Sequence, residues 1–149
     1  MASNDAFSCT CGSEPSVKEE FINKDLIVSG KIISSEMVAF DSAGKLIVQR
    51  KWDLSKYTIR RYKLVIREVF KGKFYQDTIT IYSDISDASC GYYFETGKSY
   101  LVYGMDHTKP LMEDIPQLPS GKNLIWTHLC TRTREYDEKE ASKLRRLSK

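Results

Sequence analysis

The chain has 149 residues, 41% of them hydrophobic, with 23 basic and 20 acidic side chains and a formal net charge of +3. That length suits one domain built around one core. The composition excludes a disordered chain, a membrane-spanning run of about 18 apolar residues, and the strongly basic balance of a dedicated nucleic-acid binder.

Met1 to Ser8 lacks both the basic start and the apolar stretch of a secretory leader. Ala6 and Ser8 nevertheless put small residues at the third and first positions before Cys9, the pattern a signal peptidase reads, so 1–8 is read as a leader remnant or cloning scar. Ser16-Val17-Lys18-Glu19 has the form of a capping box, which predicts a short helix with Val17 and Phe21 on its inner face. Asp25 to Val38 is rich in β-branched residues and reads as a strand, with Gly30 marking a bulge or sharp bend.

Asp41 to Gly44 is a turn, Lys45 to Arg50 a short strand, and Tyr57 to Phe70 the longest strand-like run. Lys71-Gly72-Lys73 breaks that run, and Thr78 to Tyr82 alternates again, which predicts an antiparallel partner. Phe94 to Lys98 turns into a strand over Ser99 to Gly104, and Asn123 to Leu129 is the last strand candidate. Between those two, His107 to Gly121 is a long polar loop that holds three of the four prolines. The tail 135–149 suits a helix with Leu144 and Leu147 as its apolar contacts. Five or six strands with a helix near each end predict a mainly β fold, a closed or partly closed barrel of the oligonucleotide/oligosaccharide-binding (OB) type, with an immunoglobulin-like sandwich as the rival.

The four cysteines, Cys9, Cys11, Cys90 and Cys130, are an even number at wide spacing. This suits an oxidising compartment, hence a secreted or bacterial-envelope location, and three pairings are open. With no Cys-x-x-Cys and only His107 and His128 to add ligands, the spacing is poor for zinc, so neither a metal site of its own nor a cofactor is expected.

Cys9-Thr10-Cys11, Ile27-Val28-Ser29-Gly30-Lys31, Val69-Phe70-Lys71-Gly72, Cys90-Gly91, Gly97 to Val102 and Cys130, in that order and spacing, resemble the netrin-like superfamily. Within it, the chain is similar to the inhibitory domain of the tissue inhibitors of metalloproteinases, over 9–134. The resemblance implies a disulfide-stapled OB-type barrel in which Cys9 pairs with Cys90 and Cys11 with Cys130. It also implies a function: the free α-amino group and carbonyl oxygen of the first cysteine chelate the catalytic zinc of a protease, and the next side chain enters its specificity pocket. Those roles fall on Cys9 and Thr10. Cys11, Ser89 and Cys90 complete the binding edge, and the loops Met37 to Phe40 and Ile85 to Ser89 flank it. With 1–8 attached, the nitrogen of Cys9 is an amide, which lacks the basicity to ligate zinc. The alternative is a noninhibitory netrin-like module for protein or glycan interaction.

Other chemistry finds little support in the sequence. No paired groups or Gly-rich phosphate loop suggest an enzyme, and Asp84, Asp87, Glu113 and Asp114 read as solvated loop charges. Tyr62, Tyr82, Tyr92, Tyr93 and Tyr103 offer aromatic faces, but alternating tyrosines in a small β domain are core packing, and nucleic acid is not expected as a partner. Arg60, Arg61, Lys63, Arg132, Arg134, Lys143, Arg145, Arg146 and Lys149 raise the question of a patch for sulfated glycans or an anionic membrane surface. Glycan binding is at most weak on this reading, because Asp137, Glu138 and Glu140 can offset the tail's charge through neighbouring pairs. The expected partner is an extracellular zinc metalloproteinase or another secreted protein, bound by a monomer.

Overall fold

The computed structural model describes residues 9–41, 43–51, 57–85, 90–108 and 118–149. Helix α1 (Val17–Asn23) leads into strand β1 (Leu26–Phe40), followed by β2 (Leu46–Val48), β3 (Thr58–Lys71), β4 (Thr78–Asp84), β5 (Ser99–Gly104), β6 (Leu124–Trp126), β7 (Arg134–Glu135) and helix α2 (Glu138–Leu147). The start of α1 is fixed as its sequence predicts: the Ser16 hydroxyl accepts from the Glu19 N–H at 3.1 Å, and the Glu19 carboxylate accepts from the Ser16 N–H at 2.9 Å.

The seven strands form one sheet in the order β6-β4-β3-β1-β5-β7, with β2 folded back on the end of β1. All pairs are antiparallel except β4 with β6. A single mixed sheet, rather than two packed ones, sets aside the sandwich alternative for the described residues. The long β1–β3 ladder shifts register between Ser29 and Gly30 and again between Ile32 and Ser34. At Gly30 the backbone of β3 comes so close that an added Cβ would collide with the Val65 carbonyl and the Leu64 side chain. Such bulges strengthen twist and bend the strand, so β1 turns the corner that its glycine forecasts.

The ladders leave the sheet open. Three-residue β6 pairs with β4, and its other side is tied toward β5 by one isolated bridge, in which Met105 and Trp126 exchange both backbone hydrogen bonds at 3.1 and 2.7 Å. One bridge is not a ladder, so β6 and β5 do not close the sheet among the described residues.

β5 is apolar on both faces because both are covered. Tyr100 and Val102 face an inner cluster with Val28, Tyr62, Ile81 and Phe94, while Leu101 and Tyr103 face Val17, Ala141 and Leu144 of the two helices. Tyr62 and Phe94 meet edge to face, with ring centroids 4.9 Å apart. A third cluster gathers Val38, Ile59, Leu118 and the stacked Tyr82–Trp126 pair at the far end of the sheet. The tyrosines behave as packing residues: Tyr62, Tyr82 and Tyr103 are buried, Tyr92 is half-buried and Tyr93 alone of the five is exposed. No helix among the described residues is long and apolar enough to cross a membrane.

Two sequence expectations are corrected here. Met37 to Phe40 is the last stretch of β1, paired with both β2 and β3, because β1 runs past Val38 without a break. Asp84 is no solvated loop charge: it sits in β4, where burial raises its carboxyl pKa against the lowering effect of the hydrogen bond it accepts from the Tyr57 hydroxyl at 3.0 Å. Asp87, Glu113 and Asp114, and most of the His107 to Gly121 loop, lie outside the described residues.

Candidate functional site

Cys9 to Ser16 carries no helix or strand of its own, so neighbouring groups fix its path. Two disulfides join Cys9 to Cys90 and Cys11 to Cys130, the pairing that the resemblance implies, with Cα–Cα distances of 5.1 and 5.3 Å. They bridge separations of 81 and 119 residues. The two receiving loops are joined as well, since the Leu129 N–H donates to the Cys90 carbonyl at 2.8 Å. The Cys9 and Cys130 sulfurs approach to 3.7 Å, which gathers all four cysteines into one knot. The sulfurs of Cys9, Cys11 and Cys130 are close enough to suggest a metal cluster, but each is committed to a disulfide and offers no thiolate.

Buried hydroxyls hold the receiving loops. Ser83 at the end of β4 accepts from the Tyr92 N–H at 2.8 Å and donates to the Thr127 carbonyl at 2.9 Å, linking the Cys90 loop to the Cys130 loop. Thr127, Thr131 and Thr133 form a buried cluster of hydroxyls that also bonds the Tyr103 carbonyl and N–H. Together they satisfy backbone groups that would otherwise be stranded in the interior. The His128 ring accepts from the Cys130 N–H at 3.2 Å. Burial and the nearby Lys24 charge hold its pKa below the usual imidazole value, against the opposing pull of Glu20.

An ionic clamp behind the knot fixes the rest of the segment. Arg132, two residues past Cys130, donates from its guanidinium to Glu140 of α2, to Glu14 at 2.9 Å and to the Pro15 carbonyl at 2.8 Å, while its backbone N–H donates to Glu20 of α1 at 2.9 Å. Arg134 adds a second bond to Glu14, at 2.6 Å. Glu140 also accepts from the Tyr103 hydroxyl. Burial pushes the Glu140 carboxyl upward, but hydrogen bonds from Arg132 and Tyr103 and the two arginine charges outweigh it, so its pKa lies below the ordinary value of 4.5.

The result is a short ridge, Cys9 to Gly12, tied down at both cysteines. Cys9 is half-buried, and Thr10, Cys11 and Gly12 are exposed. Tyr93 and Leu129, three residues after Cys90 and one before Cys130, add exposed apolar surface of 64% and 41%. Tyr93 also lies under the Arg60 guanidinium, 5.2 Å from its ring centroid. Ser89 and the rest of 86–89 fall outside the described residues. Tyr93 departs from the core packing its sequence suggests, and Leu129, expected at the end of the last strand, lies past the observed end of β6 at Trp126; neither position carries a local signal that separates an exposed apolar residue from a packed one. Their nearness to the cysteines in sequence was the available cue. No family model matches the chain, and neither does any curated protein.

Proposed function

We propose that the chain is a binding module of the netrin-like kind rather than an enzyme, and that its Cys9-Thr10-Cys11 ridge is the surface it presents to an extracellular zinc metalloproteinase. The observation behind this reading is the anchoring of a short segment, exposed at Thr10 and Cys11, by two disulfides whose receiving loops are bonded to each other. A segment held this way loses little conformational freedom on binding, which is the property a short inhibitory edge needs. With a free α-amino group at Cys9, the nitrogen and carbonyl oxygen of that residue would occupy two positions on the protease zinc and displace the water it activates. Thr10 would then point into the specificity pocket, with Leu129 and Tyr93 as apolar flanks. A noninhibitory interaction module for another secreted protein is the second reading. It draws on the same exposed Tyr93 and Leu129, which need no free amine to bind.

The Thr10 side chain tests the placement. In oxidised protein beginning at Cys9, Thr10→Ala is expected to weaken inhibition about tenfold, the loss of one modest side-chain contact of about 1.4 kcal/mol, with an unchanged melting temperature. An unchanged inhibition constant would move the site elsewhere.

A further inference from the structure

The basic residues that crowd the C-terminal sequence are sorted by the fold into two groups. Arg132 and Arg134 pair with Glu14 and Glu140, and Arg145 pairs with Glu68 and Glu138. Both carboxylates of α2 are thereby engaged. Glu140 is buried against Arg132 and Tyr103, and Glu138 is held by Arg145, Tyr136 and Ser142. The expected offset of charge by neighbouring pairs therefore holds for Arg132, Arg134 and Arg145 and stops there. Lys139, Lys143 and Arg146, at spacings of four and three, share one face of α2; all three are exposed and none has a carboxylate partner among the described residues.

Across from them, α1 contributes Lys18, also exposed and without a carboxylate partner among the described residues. Val17, Lys18, Lys143, Arg146 and Leu147 line a groove of about 280 Å³ between the helices. Its floor, Val17 and Leu147, is continuous with the apolar cluster beneath the two helices. Ile22, one turn beyond Lys18 on the outer side of α1, is 65% exposed.

The geometry points to a docking site for an anionic membrane surface, in which phospholipid phosphates meet Lys18, Lys143 and Arg146 and the adjoining acyl region reaches the Val17–Leu147 floor. A sulfated polymer would need the cations alone. An apolar floor set between unpaired cations suits a ligand that carries apolar surface next to its negative charge. The site lies on the helical pair and uses none of the groups assigned to the ridge.

The test is co-sedimentation of the full, oxidised chain with phosphatidylcholine vesicles made with and without phosphatidylserine. Binding to the anionic vesicles only is expected. The triple variant Lys18→Gln, Lys143→Gln, Arg146→Gln should lower the partition about a hundredfold, since each cation at an anionic surface is worth roughly fivefold. A second triple variant, Lys31→Gln, Lys45→Gln, Lys73→Gln, removes equal charge from exposed positions elsewhere and should retain most of the binding. In unaltered protein, anionic vesicles should shield Lys18 and Lys143 from acetylation more than Lys31 and Lys45, a readout independent of any variant's folding. Equal losses in the two triple variants, no sedimentation, equal acetylation of the four lysines, or retention on heparin without vesicle binding would each overturn the proposal.

Discussion

Arg132 stands where the Cys130 loop, both helices and the N-terminal segment meet, with 12% of its side chain exposed. Removing one member of a buried pair leaves the other charged and unsolvated, which costs about 3–5 kcal/mol. Arg132→Ala is therefore expected to lower unfolding free energy by about that much in urea titrations; a loss below about 1 kcal/mol would show that Arg134 alone can compensate Glu140. The same residues set an acid limit. Glu140 has a folded pKa below its ordinary 4.5, so its contribution is complete above 4.5 and is lost as pH falls through the folded value. His128 also has a depressed folded pKa, below 6.5, so the unfolded chain takes up that proton first and stability declines as pH drops from 6.5 toward the folded value. Urea midpoints followed against pH should fall in these two stages, and His128→Gln should flatten the upper one. An upper stage of the same slope in that variant would assign it to another group. None of this was legible in the sequence, because the partners of Arg132 lie up to 118 residues away.

At the level of elements, local signals served well where a run was long enough to alternate. β3 and β4 were readable from alternation, β1 and β5 from their β-branched and aromatic content, and the capping box located α1. β7 was not readable: Arg134 and Glu135 are a strand only because Leu101 and Tyr100 pair with them. The end of β1 was mistaken for a loop because Met37 to Phe40 was placed by family analogy, while its pairing to β2 is a tertiary fact. Gly30 was legible as a bend, but Gly104 was not singled out, although its role is comparable. A Cβ there would strike the Trp126 carbonyl and the Ile125 side chain, at the point where β5 gives way to the Met105–Trp126 bridge. Gly104→Ala should cost about 1–3 kcal/mol through forced backbone displacement. Gly12→Ala, with nothing within 4 Å of the added atom, should leave stability unchanged or raise it by up to about 1 kcal/mol. Equal effects of the two substitutions in thermal melts would contradict the close packing assigned to Gly104.

Over the whole molecule, the open sheet, the two helices and the cysteine knot divide the work. The sheet and helices bury the core clusters. The disulfides tie to that frame a segment with no secondary structure of its own. In the chain-entropy model a loop of about a hundred residues is worth about 4–5 kcal/mol when closed, so each bridge alone is a large part of the stability of a domain this size. The Cys9-Thr10-Cys11 segment stands out in the sequence as a motif, and the disulfide pairing implied by the family resemblance is the one observed. The ionic clamp, the hydroxyl cluster and the exposed Tyr93 and Leu129 arise from contacts that only the folded chain makes. The central claim is that this knot presents a zinc-directed edge. The most direct measurement is inhibition of a panel of zinc metalloproteinases by oxidised protein starting at Met1, by oxidised protein starting at a free Cys9, and by the latter after reduction. Inhibition by the oxidised Cys9 form alone is the predicted result, whereas no inhibition by any form, or equal inhibition by all three, would contradict it.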